Sequence, residues 1–265
     1  MNSLKSILKS NALWALAAAC VLLLAWHIAY VCIKNDYILP GIGSTLSAFA
    51  ALFADAHFYA ALGSTLARTL ISFALSFAAG GAFAALAAVC PPFRAAFACV
   101  ISVVRTLPTM AVTLMLLIWS TPGVAPGIVA ALVLVPMVYS QFAAAIEGVD
   151  GDLLEMARVY RLTRSQKLKK IILPAVAPEV LAQTGASLSL GLKVMVSAEV
   201  LCYTLSSLGG IMQQARLYSE MPRFAALTLC CILIGLALEL VSLGIKNAAT
   251  AWRKGGDGHV RKAHK

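Results

Sequence analysis

The sequence predicts an all-α polytopic membrane protein with six transmembrane helices and one helix-turn-helix loop on the cytoplasmic side. Three observations carry this reading. Apolar residues make up 61% of the chain and charged residues only 12%, about half the charged share of a soluble domain. The apolar residues collect in runs of the roughly 20 residues needed to cross a hydrocarbon core about 30 Å thick. The basic residues behind the net charge of +10 fall at run ends and in one loop, a placement that topology explains and a nucleic-acid-binding face does not.

The first run, 12–33, follows Lys5 and Lys9 and continues well past Cys20. It is too long for the apolar region of a signal peptide and long enough to span. After it, "LPGIGSTLSAFAALFADAHFYAALGS" mixes turn residues with an apolar stretch at 46–53, which predicts a short helix lying at the outer interface. Five further spans are expected at 65–89, 95–119, 125–146, 180–201 and 224–246. An even number of crossings puts both termini on one side. Under this threading Lys5, Lys9, Arg94, the six bases from Arg158 to Lys170, and Arg253, Lys254, Arg261, Lys262 and Lys265 share one face. Lys34, Arg216 and Arg223 hold the other, so the positive-inside rule places both termini and the loop 148–178 in the cytoplasm. Residues 1–58 form an N-terminal span with its external interfacial segment, 59–247 the main transmembrane domain, and 248–265 a polar tail expected to be disordered. Gly80, Gly81 and prolines such as Pro108 and Pro136 punctuate the runs, as small and helix-breaking residues do where neighbouring helices pack closely.

Seven cysteines and four histidines are too dispersed for a metal site. No metal ligands, catalytic residues or cofactor are expected.

The loop is written "LLEMARVYRLTRSQKLKKIILPAVAPE" over 153–179. Asp152 stands where an N-cap would sit, with Glu155 at the third helical position. Leu153, Met156, Ala157 and Tyr160 follow on one helical face. Thr163 and Gln166 repeat the capping signal before Leu168, Ile171 and Ile172, and Pro174 and Pro178 mark where that second helix must bend or end. Arg164, Lys167, Lys169 and Lys170 suit the depth of anionic headgroups in the lipid bilayer.

This segment resembles the EAA loop of membrane subunits of type I ABC importers, a pattern of E-A-A, three residues, G, about nine residues, then I-x-L-P. Glu155, Met156 and Ala157 stand at the first positions, Arg161 at the glycine, and Ile171, Leu173 and Pro174 at the end. "STLARTLISF" around Arg68, "VRTLPTMAV" around Arg105, "SLGLKVMVSAEVL" with Lys193 and Glu199, and "SLGGIMQQARLYSEMPRFAALT" over 207–228 are similar to the nitrate/sulfonate/taurine subgroup. The resemblance implies a multi-pass inner-membrane permease whose loop inserts into a cytoplasmic ABC ATPase dimer, with Glu155, Met156, Ala157, Tyr160, Arg161 and Pro174 coupling the two. It also implies an external solute-binding protein and a second permease, as a homodimer or a pair with a close relative, around a small anionic, sulfonate-like or vitamin-precursor-like solute. A glycine where Arg161 stands can take the left-handed conformation that ends a helix, which arginine takes at a cost of about 1 kcal/mol, so either the first helix ends differently or Arg161 adds a charged contact.

Charges inside spans need a partner or a wet cavity. Arg105, Lys193, Glu199 and Glu239 qualify, while Arg68 lies nearer a span end, where its side chain can snorkel. Gly185, Ser189, Lys193 and Ser197 recur every four residues. They form a small polar stripe that, with Arg105 and Glu199, lines a translocation path; the alternative is a structural ion pair such as Lys193 with Glu239. No G-x-x-x-x-G-K-[ST] occurs in the chain, so ATP hydrolysis falls to a separate polypeptide and the chain is a transport subunit rather than an enzyme. A stand-alone secondary transporter or channel is the competing class, although no internal repeat supports it.

Overall fold

The computed structural model describes residues 2–249, with the side chains of Lys5 and Lys9 and residues 250–265 of the tail outside the described part. Among the described residues every regular element is helical. The chain divides into two compact units, Met1–Tyr59 with Met212–Cys230, and Ala60–Ile211 with Cys231–Lys265.

In the first unit, helix α1 (Asn2–Ile33) is followed by α2 (Ile42–Leu52). The expected short helix at 46–53 is therefore present and begins earlier. The connection turns back on α1: the Trp26 indole N–H donates to the Pro40 carbonyl at 3.1 Å, and Asp36 accepts the Gly41 N–H at 3.2 Å. Gly41 lies so near the Tyr30 ring that a Cβ would meet it at 3.0 Å. Phe53, Phe58 and Tyr59 stack edge to face, and Arg223 pairs with Asp55 at 3.6 Å.

Helix α3 (Ala56–Val89) leads into the second unit, which continues with α4 (Pro91–Thr106), α5 (Thr109–Trp119), α6 (Ala125–Glu147), α7 (Gly151–Val159), α8 (Arg164–Lys167), α9 (Leu173–Cys202) and α10 (Leu208–Leu217). Helix α11 (Met221–Ala249) closes the described chain. Among the described residues four helices are long and apolar enough to cross a membrane, Ala56–Val89, Ala125–Glu147, Lys169–Cys202 and Met221–Ala248, or up to five with α4 and α5 taken as one broken span. In the first run the apolar helix counted among the described residues, Cys20–Ile33, is shorter than a span.

Two expectations about helices are corrected here. The third run is two helices meeting at 93°, not one straight span. Pro108 has no N–H to give and excludes helical backbone at the residue before it; Leu107 and Pro108 are both extended, with ψ of 128° and 112°. Pro174 and Pro178, by contrast, do not end the helix that carries them. A π-helical turn, Leu168–Ile172, runs straight into α9, Pro174 falls in its first turn and Pro178 lies within it. The Pro174 ring and its missing N–H fall where the widened turn meets α9, which gives the ring room.

The core of the second unit lies where α6 packs along α9, with Leu134, Val138, Leu192 and Met195 essentially inaccessible. Small residues set the close approaches, as the glycine pattern predicts: a Cβ on Gly80 would lie 2.9 Å from the Tyr139 backbone nitrogen, and one on Gly185 3.1 Å from Glu239 Cα. One buried polar contact crosses this core, from Gln141 Nε2 to Ser187 Oγ at 2.8 Å. Among the described residues no glycine has positive φ; Lys34, Arg161, Tyr203, Ser206 and Ser219 do.

Candidate functional site

The hairpin between α6 and α9 is built by its caps. The N-cap of α7 is Asp150 and not the expected Asp152: its backbone is extended and its carboxylate accepts the Asp152 N–H at 3.0 Å. Asp152 thus becomes a first-turn acid, favourable against the helix dipole. At the other end Arg161 takes the left-handed conformation, φ 49°. The Leu162 N–H reaches the Ala157 carbonyl and the Arg161 N–H the Arg158 carbonyl, both at 3.0 Å, the paired bonds of a Schellman stop. Arginine therefore ends the helix just as glycine would. The second capping box is present as expected, since Gln166 N–H donates to Thr163 Oγ1 at 3.3 Å and Thr163 N–H to Gln166 Oε1 at 3.0 Å.

Of the residues expected on this hairpin, Glu155, Met156, Tyr160 and Arg161 are exposed, Tyr160 at 73%. Pro174 is half-buried, and Ala157 is turned inward at 3%. The outward apolar surface of α7 and its C-cap is Leu153, Met156, Val159 and Tyr160.

The charged residues of the spans separate into two settings. Arg105 ends α4 beside the break, is exposed, and donates to the Pro136 carbonyl at 3.3 Å and to Ser140 Oγ. Pro136 and Ser140 tie it to α6. Lys193 and Ser197 are exposed and line an open cavity of about 150 Å³ with Thr109, Met110 and Thr113 of α5. Lys193 makes no ion pair with Glu239 or any other acid among the described residues. Gly185 packing on the Glu239 backbone occupies that side of α9 instead. Ser189 is buried, with a Cβ on Gly235 placed 3.1 Å from its hydroxyl. The polar stripe thus divides into a helix-packing half and a cavity-lining half.

Glu199 is inaccessible and held from three sides. Thr65 Oγ1 donates to it at 2.8 Å, Arg68 Nη1 at 3.1 Å and the Gly209 N–H at 3.3 Å. Arg68 does not snorkel; it forms an ion pair with the carboxylate. Thr65 also accepts the Leu208 N–H at 3.0 Å, and Ser207 Oγ accepts the Gly210 N–H at 2.9 Å, so α10 starts on donors that are all satisfied, with a negative charge at its positive end. The bonds need contact that only glycine permits. A Cβ on Gly209 would lie 2.4 Å from Glu199 Cβ, and one on Gly210 2.1 Å from the Thr204 carbonyl oxygen. Thr65, Thr109, Asp150 and Gly209 were not expected as contributors. The Thr65 and Arg68 spacing, i and i+3 on one helix face, was the available signal for the Glu199 partners. Among the described residues no group of histidines, cysteines and carboxylates suits a metal.

Comparison with known proteins agrees with this architecture. A Bacillus subtilis (strain 168) protein named as an aliphatic sulfonates transport permease, SsuC, is 29% identical over 160 residues, 60% of this chain and 57% of its own. The glycine betaine transport system permease protein OpuAB of the same organism is 27% identical over 135 residues, 51% of this chain and 48% of its own. The chain thus spans about half the length of the curated relatives it matches. Among solved structures, a bacterial ABC transporter involved in the import of the acidic polysaccharide alginate superposes with a TM-score of 0.65 at 16% identity, covering 94% of this chain and 100% of that one. The MetNI methionine ABC transporter follows the same fold, with a TM-score of 0.62 at 15% identity and 71% and 94% coverage. Residues 80–248, which hold the broken helix pair, the capped hairpin and Glu199 with Gly209, match one family profile, and the chain belongs to the binding-protein-dependent transport system inner membrane component family.

Proposed function

We propose that the chain is the membrane-spanning permease subunit of an ATP-driven importer. In this reading it crosses the inner membrane six times, counting α1 and the α4–α5 pair as one crossing each, with both termini and the α7–α8 hairpin in the cytoplasm. The hairpin docks into a dimer of a separate ABC ATPase. An external binding protein delivers a small anionic or sulfonate-like solute, and a second copy of the chain supplies the other half of the path.

The observation that carries the proposal is the hairpin: a short helix, capped at both ends, that offers Met156, Val159 and Tyr160 to the outside between two helices packed into one core. Such a segment can take load at its exposed face and pass it to α6 and α9. Arg105, Ser189, Lys193, Ser197 and Glu199 are assigned to the path and its frame. Arg105, Lys193 and Ser197 stand at accessible positions, and Ser189 and Glu199 hold the helices behind them. No observation favours a stand-alone secondary transporter or channel.

Cysteine crosslinking tests this. Met156→Cys or Tyr160→Cys in native membranes is expected to capture an ATP-hydrolysing protein, whereas Val100→Cys, exposed on α4 and not part of the hairpin, is not. Failure of both hairpin positions to capture an ATPase, or their labelling only from the outside, would overturn the proposal.

A further inference from the structure

The cavity beside Lys193 has one cation and no carboxylate among its lining residues. Two donors in its wall are open. Neither the Lys193 ammonium, on α9, nor the Thr109 hydroxyl, on α5, has a hydrogen-bond partner among the described residues, whereas Thr113 and Ser197 donate to the carbonyls of Thr109 and Lys193 at 2.7 and 2.8 Å. The nearest acid in sequence, Glu199, is six residues on, points to a different side of the helix and is bound to Arg68. Lys193 lies nine residues before the end of α9, roughly 14 Å along the helix at its standard rise. At that depth an unpaired charge is unfavourable.

We infer that this cavity is a transit site for the head group of a small monoanionic oxyanion, a sulfonate, nitrate or carboxylate, bridged between Lys193 and Thr109. The inference rests on the permease reading above and adds a binding position and a charge rule to it. Each copy lines its own cavity with one positive charge, so an occupied cavity is neutral with a monoanion. A dianion such as sulfate leaves one charge uncompensated in a low-dielectric wall, where it is disfavoured. The volume of about 150 Å³ holds an oxyanion head and a short chain, with Met110 and Val129 supplying apolar contact. The cavity exists because the chain breaks at Pro108, which places Thr109 and Met110 at the start of α5 against α9.

Ser197→Cys in the full chain, reconstituted in lipid nanodiscs, reads the site directly. Modification at position 197 is followed by mass spectrometry with sulfonatoethyl and trimethylammonioethyl methanethiosulfonate. The anionic reagent is expected to react faster by about tenfold, as one nearby charge at intermediate dielectric provides. The preference should persist with Lys193→Arg and vanish with Lys193→Ala. Ethanesulfonate should slow the reaction, and sulfate at equal concentration should not. An unchanged preference in Lys193→Ala, equal protection by sulfate, or no reaction with either reagent overturns the inference. ATP-driven uptake by the assembled complex is measured alongside. Uptake without the charge preference rejects the transit site alone, while an absent ATPase partner rejects the permease reading itself.

Discussion

Helices α7 and α9 stop in the same way and are held very differently. Each closes on a left-handed residue that is not glycine, Arg161 at φ 49° and Tyr203 at φ 51°, and each stop is completed by an N–H reaching back five residues, Leu162 to Ala157 at 3.0 Å and Thr204 to Glu199 at 3.1 Å. Beyond Tyr203 the chain is locked. The Thr204 hydroxyl donates to the Pro122 carbonyl at 2.6 Å, Ser207 caps α10, and Glu199 gathers Thr65, Arg68 and Gly209. Beyond Arg161 no such hydrogen bond to a distant helix follows among the described residues; Thr163 and Gln166 cap each other in exposed positions. An identical backbone turn therefore serves a fixed joint in one place and a self-contained hairpin in the other. What distinguishes them is whether side chains from distant helices reach the turn.

Substitutions can break this contrast in graded steps. Glu199→Ala should destabilise the fold most, by about 3 kcal/mol, because it strands the Arg68 charge and uncaps α10 at once; thermal unfolding in detergent measures it. Retention of the parent melting temperature would mean the joint is not fixed by this carboxylate. Gly209→Ala comes next, at about 2 kcal/mol, the usual cost of forcing a methyl into a closed contact, read by the same assay. Asp150→Ala should cost about 1 kcal/mol for the lost cap, and limited proteolysis within 151–163 should speed up while the global unfolding temperature changes little. A matching fall in global stability would show that the hairpin is not self-contained. The smallest change is Arg161→Gly, a gain of about 0.5 kcal/mol as relief of the left-handed strain exceeds the added chain entropy, seen as slower cleavage at the same sites.

Membrane class, helix positions and the hairpin's second capping box were legible because they rest on local rules. Apolar run length identifies a span, and a hydroxyl three residues before a glutamine identifies a cap, whatever surrounds them. The first cap was misplaced by two residues because Asp150 and Asp152 are both competent, and only the extended backbone of Asp150 selects between them. Pro108, read as ordinary punctuation, separates two helices at 93°, while Pro174, read as a place to bend or end, does not end its helix. A proline's consequence depends on whether its first turn continues an existing helix or starts a new one, which composition does not carry.

Which residues pair across the chain was not legible beyond the helix face that Thr65 and Arg68 share. Arg68 and Glu199 are separated by 131 positions, and no spacing rule connects residues so far apart. Residue identity alone established that this chain is a helical membrane protein with an interrupting hairpin, since burial of apolar surface and capping act within a few turns. Packing of α3, α9 and α10 assigned Glu199 to the frame and left Lys193 facing open space, because two charges six residues apart on one helix point in different directions and meet whatever each side offers.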